Sequence, residues 1–205
     1  MRPVITEQDV PLEGDFQVPA GALWTPSARD LATRRGLRIV EATAERIRET
    51  APASRKVAIG ADHGGVALKR KLKAVIEGLG FQVEDVGTHD EKAVDYPDIA
   101  EKVAVLVAEG KVQRGVLIDG AGIGSAMAAN KIPGVRAALC YDKASARNSR
   151  EHNDSNVLTL GGRLLTETQA EDVLRTWLAT PFAGGRHQAR VDKIVALEKK
   201  YGTRQ

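Results

Sequence analysis

Asp119 stands at the end of an apolar run, Gly115-Val116-Leu117-Ile118, and opens a glycine-rich turn, Gly120-Ala121-Gly122-Ile123-Gly124. Small residues continue to Asn130, and the pattern predicts strand, tight turn, helix. Glycines let a chain turn sharply and leave its N–H groups bare. The unpaired N–H groups and positive dipole end of a helix behind such a turn attract anions. The turn is therefore suited to a phosphate, a carboxylate or an oxyanion formed during a reaction. It is equally a tight strand–helix connection with Asp119 near the cap. No Gly-Lys-Ser/Thr follows, so it is not a P-loop, and Gly120, Gly122 and Gly124 lack the spacing of dinucleotide sites.

Two more polar sets have chemical options, Asp62-His63 and His152-Asn153. A histidine in a loop beside a carboxylate or amide suits acid–base work or phosphate binding. His89, between Thr88 and Asp90, reads as solvated. No two histidines have helical metal spacing, so no metal site is expected, and no cofactor motif is present. Arg186 and Arg190 are four apart and share a helix face. At a helix start they repel each other and the dipole unless an anion joins them. A bound phosphate and a solvated basic face both account for them. Arg163, after Gly161-Gly162, is a further candidate.

The elements that must position these residues alternate from Lys56 onward. Short apolar strands are expected at Val57–Gly60, Phe81–Val86, Val116–Ile118, Val135–Cys140 and Asn156–Leu160. Helices are expected between them, the first with Leu68, Leu72, Val75, Ile76 and Leu79 on one face. Others start at Tyr96 and Lys143, and Thr168–Leu178 and Gln188–Lys200 close the chain. Strands separated by helices pair in parallel through right-handed crossovers. The predicted fold is α/β, a doubly wound αβα sandwich with a five-stranded parallel sheet. Ligands of such folds gather outside the C-terminal strand ends. Asp62-His63, Asp119 with its glycines, and His152-Asn153 are all expected there.

Of the 205 residues, 42% are apolar and 28% charged, as in ordinary globular proteins. The net charge of +3 is too small to argue for nucleic acid. No stretch approaches the ~20 apolar residues of a membrane span. No signal-peptide core opens the chain. Cys140, the one cysteine, ends an apolar run and reads as a buried, inert thiol, which fits a reducing cytoplasm. Residues 1–54 differ in composition and read as an extension and linker ahead of a domain at 55–205. Thr25 is placed to cap a helix, Pro26 to begin it and Gly36 to end it. A second helix is expected near Val40–Glu49, then a linker at Ala51-Pro52-Ala53-Ser54. Few large apolar side chains make the extension, taken as mostly helical, a poor independent core that docks on something.

Taken together, the motifs resemble ribose-5-phosphate isomerase B and its relatives, the galactose-6-phosphate isomerase subunits. The matching stretches are Gly60-Ala61-Asp62-His63-Gly64-Gly65, Asp95-Tyr96-Pro97, Gly120 to Gly124 with Ala128-Ala129-Asn130-Lys131, Arg150 to Asp154, and Gly184-Gly185-Arg186-His187-Gln188. The similarity runs from about Lys56 to Lys200. It implies a metal-free, cofactor-free aldose–ketose isomerase acting on sugar phosphates through an enediolate. It implies that His152 opens the sugar ring with Asp62 and Tyr96 nearby, and that Asn153 helps bind the sugar. His63, Arg163, Arg186 and Arg190 match phosphate-holding positions. The last-helix arginines belong to the neighbouring subunit's site, which implies a homodimer or dimer of dimers with shared active sites. The N–H groups of Gly120, Gly122 and Gly124 would stabilise the enediolate as an oxyanion hole does.

The departures bear on the chemistry. Most such relatives have cysteine, their proton-moving base, where this chain has Asp119. A second branch has glutamate at the position of Ser125, and a hydroxyl residue is usual at Ala121. A carboxylate performs the equivalent step in triosephosphate isomerase, so Asp119 is expected to move the proton between C2 and C1. The alternative is a sugar-phosphate-binding or scaffold protein that has lost its chemistry. The stretch Val18 to Asp30 resembles segments of bacterial microcompartment enzymes, which implies residence in a protein shell beside a co-encapsulated enzyme. A tail or an added dimer contact is the other reading of residues 1–50.

Overall fold

The structure, a computed structural model, describes residues 4–10, 15–19, 21–42 and 56–202. The chain divides into two compact units, Met1–Ala53 and Ser54–Gln205.

Among its described residues, the first unit contains strands β1 (Val4–Ile5), β2 (Asp15–Pro19), β3 (Leu23–Trp24) and β4 (Arg38–Ala42), a 3-10 turn at Glu7–Asp9 and the helix α1 (Pro26–Arg34). β1 pairs with β3 and β2 with β4, both in parallel. Thr25 caps α1 by accepting from the Ala28 N–H, and Pro26 takes the first turn, where its missing N–H costs nothing. Gly36, at φ 63°, follows the helix end. These describe a unit richer in strands than the mostly helical one expected. The physical reason lies in one short alternating stretch. Phe16 and Val18 point inward on β2 and pack with Ile5, Val10, Ala28 and Ala32. The Phe16 and Trp24 rings meet edge to face, centroids 5.5 Å apart. The unit thus has a small core of its own. The second helix expected from Val40 is overturned where it is described, since Arg38–Ala42 is strand. The rest of that helix and the linker fall outside the described residues.

The second unit runs β5 (Lys56–Ala61), α2 (Val66–Gly78), β6 (Gln82–Asp85), α3 (Tyr96–Ala108), β7 (Arg114–Asp119), α4 (Ile123–Ala129), β8 (Ala137–Leu139), α5 (Lys143–Glu151), β9 (Val157–Gly161), α6 (Glu167–Ala179) and α7 (Gln188–Tyr201). The five strands form one parallel sheet in the order β6-β5-β7-β9-β8. Strands covered on both faces read as continuous apolar runs, and Val57-Ala58-Ile59, Val116-Leu117-Ile118 and Val157-Leu158 are all buried. On one face Leu72 and Ile76 of α2 and Leu174 and Trp177 of α6 cover Ile59, Ile118 and Leu160. On the other, Ile99 and Val103 of α3 cover Ala58, Leu117 and Val157. A Cβ on Gly115 would lie 2.5 Å from Val103 Cγ1, so only glycine lets α3 sit this close to β7.

From β5 the chain turns through α2 to β6; from β7 it turns the other way through α4 to β8. The strand order therefore reverses between β5 and β7, and a crevice opens beyond their C-terminal ends. The same topology corrects one expectation. Helices run back antiparallel to the strands, so a loop that follows a helix lies at the N-terminal edge of the sheet. His152-Asn153, between α5 and β9, is such a loop. It sits across the sheet from Asp62 and Asp119, a strand length or roughly 15–20 Å away.

Candidate active site

At the crevice, the turn after β5 is tied to the neighbouring strand by the Asp62 N–H, which donates to the Ile118 carbonyl at 3.1 Å. Asp62 Oδ1 accepts from the Gly64 N–H at 2.9 Å, folding the turn on itself. Gly65 must be glycine, because a Cβ there would come 2.9 Å from the Ile118 carbonyl oxygen. Arg163 follows β9, and its N–H donates to the Gly120 carbonyl at 3.0 Å. Its exposed side chain reaches across the crevice. A Cβ built on Gly120 would lie 3.6 Å from Arg163 Cδ, and one on Gly64 3.7 Å from Arg163 Nε. One guanidinium thus bridges the turns that carry Asp62 and Asp119. His63, exposed, is on the first of these turns.

The glycine turn is shaped from beneath and above. Gly122 has φ 79°, and a Cβ on it would come 2.8 Å from the Leu160 carbonyl carbon. A Cβ on Gly124 would lie 2.5 Å from Tyr96 Cε2 and Cζ, so the Tyr96 ring covers the first turn of α4. Tyr141 Oη donates to the Ala121 carbonyl at 3.2 Å. Asp119 does not point away from the turn. Its Oδ1 accepts from the N–H groups of Ala121, at 2.9 Å, and Gly122; its Oδ2 accepts from Ser125 at 2.8 Å. The side chain is 4% exposed. Among the described residues, the N–H groups of Gly120, Ile123 and Gly124 have no acceptor.

At the opposite edge a second group assembles. Asp154, at φ 46°, closes the loop after α5 and takes Arg136 Nη2 at 2.9 Å and Arg150 Nη1 at 2.7 Å. Buried Arg150 also donates to the carbonyls of Ser155, at 2.6 Å, and Thr180, at 3.2 Å. Arg136 Nε reaches the Asn153 carbonyl at 3.2 Å, which leaves the exposed Asn153 side chain outward. The Ala183 N–H donates to the Glu151 carbonyl at 3.1 Å, drawing the segment before α7 onto α5. This brings His187 flat against His152, centroids 4.2 Å apart and planes at 8°. Asn148 Nδ2 donates to His152 Nδ1 at 2.9 Å, which leaves Nε2 to carry the proton of the neutral ring. Arg186 Nε donates to His187 Nε2 at 3.4 Å, and among the described residues the buried His187 Nδ1 has no partner. His187 is held below the ordinary histidine value, first by burial, then by His152, Arg186 and Arg190; Glu151 opposes them.

The predicted residues therefore fall into two sets. Asp62, His63, Tyr96, Asp119, the glycines and Arg163 line the crevice; His152, Asn153, Arg186 and Arg190 gather at the other sheet edge. Among the described residues no hydrogen bond, ion pair or ring contact joins the two sets within one chain. Two residues beyond those expected contact these groups, Tyr141 and His187. Tyr141 carries no sequence signal beyond following a strand. His187 sits in the quoted Gly184–Gln188 stretch, and its neighbourhood with Arg186 was the signal available. Among the described residues no three His, Cys, Asp or Glu side chains gather in a way that could hold a metal ion. No helix among them is long and apolar enough to cross a membrane.

The second unit is similar to known proteins. A family model described as Ribose/Galactose Isomerase matches residues 57–194. Ribose-5-phosphate isomerase B of Escherichia coli is 43% identical over 146 residues, 71% of this chain and 98% of that protein. D-Erythrulose-4-phosphate isomerase of Pectobacterium atrosepticum is 37% identical over 140 residues, 67% of this chain and 91% of that protein. The solved structure of Clostridium thermocellum ribose-5-phosphate isomerase B is 50% identical and superposes with a TM-score of 0.70, covering 71% of this chain and 99% of that one. Residues 1–56 lie outside the family match.

Proposed function

The chain belongs to the ribose/galactose isomerase family and is a sugar-phosphate isomerase, and we propose that it interconverts a phosphorylated aldose and ketose, such as ribose 5-phosphate and ribulose 5-phosphate, at a site shared between two subunits. The observation that carries the shared site is the placement of the two residue sets on opposite sheet edges. Arg186 and Arg190 are expected to serve a neighbouring subunit. His152 stacks on His187, between those arginines, so it travels with them. One protomer then offers Asp62, His63, Tyr96, the glycine turn and Arg163, and its partner offers His152, Asn153, Arg186 and Arg190.

In this reading the arginines and His63 clamp the phosphate, because charged donors suit its oxygens. His152 Nε2–H hands a proton to the ring oxygen as the anomeric hydroxyl loses one, with Asp62 and Tyr96 beside it. A proton then leaves C2, an enediolate forms, and a proton returns at C1. Asn153 holds a sugar hydroxyl. No metal or organic cofactor enters these steps.

A second reading is favoured by one feature: Asp119, at the position of the expected base, has its oxygens engaged by three N–H groups. That suits a protein that binds sugar phosphates without turning them over. Assay of the purified chain on phosphorylated tetroses, pentoses and hexoses separates the two. Turnover of any of them supports the isomerase, and binding without turnover supports the second reading.

The N-terminal unit is read as a docking segment for a protein shell or a co-encapsulated enzyme. The support is the resemblance of Val18 to Asp30, which spans the end of β2, β3 and the first half of α1. The protein then works in the cytoplasm inside such a compartment.

A further inference from the structure

We propose that Asp119 is a positioning residue, a built-in acceptor that holds the glycine turn in shape, and not the group that moves the substrate proton. The inference rests on the isomerase reading above.

The geometry begins with α4. Its first N–H groups need an acceptor, which a side chain at the preceding residue usually supplies. That residue is Gly122, and nothing else fits there: φ is 79°, and a Cβ would strike Leu139 and the backbone of Leu160. The cap must come from elsewhere. Asp119 supplies it from three residues upstream, taking the Ser125 N–H on Oδ2 and those of Ala121 and Gly122 on Oδ1. Aspartate is the shortest carboxylate, and its reach back over its own turn is what these contacts require.

A carboxylate oxygen has two lone-pair directions. Both on Oδ1 are taken, and one on Oδ2 is taken. The side chain is 4% exposed, so almost none of it meets the space where a sugar would lie. The base of an isomerase must face the carbon whose proton it removes. Asp62 is the other carboxylate on the two turns flanking this crevice, and it accepts one N–H, on Oδ1. The proton transfer falls to a group placed as Asp62 is, and Asp119 acts through the turn it shapes.

Asparagine distinguishes the two roles. Its amide oxygen stands as far from the backbone as a carboxylate oxygen and accepts the Ala121 and Gly122 N–H groups in the same way, yet it is no carboxylate base. The full-length protein, Asp119→Asn and Asp119→Ala are compared in two ways. One is kcat and KM on whichever of the phosphorylated sugars the wild type turns over. The other is hydrogen exchange of the Ala121 and Gly122 amides, followed by NMR without substrate. The expected result is protected amides in wild type and in Asp119→Asn, and loss of protection in Asp119→Ala. Asp119→Asn keeps kcat within about tenfold, while Asp119→Ala loses on the order of 10²-fold at nearly constant KM, as when preorganised donors are lost. An asparagine variant with protected amides and kcat as low as the alanine variant overturns the proposal, because only the base is then missing. Wild-type amides that exchange freely overturn it as well. A wild type that turns over none of the sugars sinks the isomerase reading instead, and amide exchange alone then decides whether Asp119 holds the turn.

Discussion

His152 lies flat on His187, ring centroids 4.2 Å apart, although 35 positions separate them in sequence. Stacking two imidazoles beside two guanidinium groups makes a second positive charge costly. His187, buried and close to His152, Arg186 and Arg190, is therefore held below the ordinary 6.5. Below pH 6.5 the unfolded chain binds a proton that the folded chain refuses, so stability falls with pH across that window. The contribution is complete above about pH 6.5 and is lost as pH drops toward the folded value. An NMR titration of the His187 ring should give a midpoint below 6.5. Inorganic phosphate or a sugar phosphate should raise it, by offsetting the arginine charge. A midpoint at or above 6.5 in the free protein contradicts this electrostatic picture.

Two damaged subunits should repair one another. Arg163→Ala removes a crevice residue, and His152→Ala removes one from the opposite edge. If sites are shared, each mixed dimer has one site with both groups intact. Random mixing of two inactive variants then restores about a quarter of wild-type activity, since half of the dimers are mixed. No recovery despite demonstrated subunit exchange would mean that each site is built within one chain.

Arg186→Ala or Arg190→Ala should weaken sugar-phosphate binding far more than binding of the unphosphorylated sugar. A charge-assisted contact contributes ~1.5–3 kcal/mol, which is roughly tenfold to over a hundredfold in affinity. Calorimetric titration of both ligands checks this, and equal losses would remove the phosphate role.

Much of this arrangement was legible in the chain. Apolar runs separated by amphipathic stretches marked the five parallel strands, and Thr25-Pro26 marked the start of α1. Asp62, His63, Asp119, the glycines and Arg163 are legible because they stand at or just beyond a strand end, whereas Tyr96 opens a helix after a long loop. His152, expected at a strand end, stands at the other edge because the helix before it reverses the chain. Its partner His187 depends on the Ala183–Glu151 contact, a long-range bond with no local pattern. The N-terminal strands were missed because two-residue β1 and β3 are too short for periodicity. In β2 the alternation of Phe16 and Val18 with polar neighbours was present and outweighed by the glycines and prolines around it.

Gly124→Ala tests the Tyr96 lid over α4. The new methyl would lie 2.5 Å from Tyr96 Cζ, so the ring must swing away. Overpacking of this kind typically costs ~1–3 kcal/mol where the neighbour is held. Turnover should fall and the Tyr96 ring resonances should shift. Unchanged turnover and resonances would show that the ring is not held there.

A chain beginning near Ser54 should fold and keep its sugar-phosphate affinity, because the second unit contains its own two-sided core. Residues 1–50 fused to a soluble reporter should carry it into a cognate shell, read by co-purification with shell particles. Failure of the shortened chain to fold would give the first unit a structural role. A reporter left outside would remove the shell reading.

The carboxylate at position 119 also changes what can poison the crevice. Enzymes that keep a thiolate at that place offer a target to oxidants and alkylating electrophiles. Here the lone thiol is that of Cys140, 1% exposed and pushed up by burial. Iodoacetamide or a disulfide reagent finds no nucleophilic sulfur among the crevice residues. A reactive aldehyde that captures thiolates finds no such target at position 119, where a cysteine-dependent site offers one.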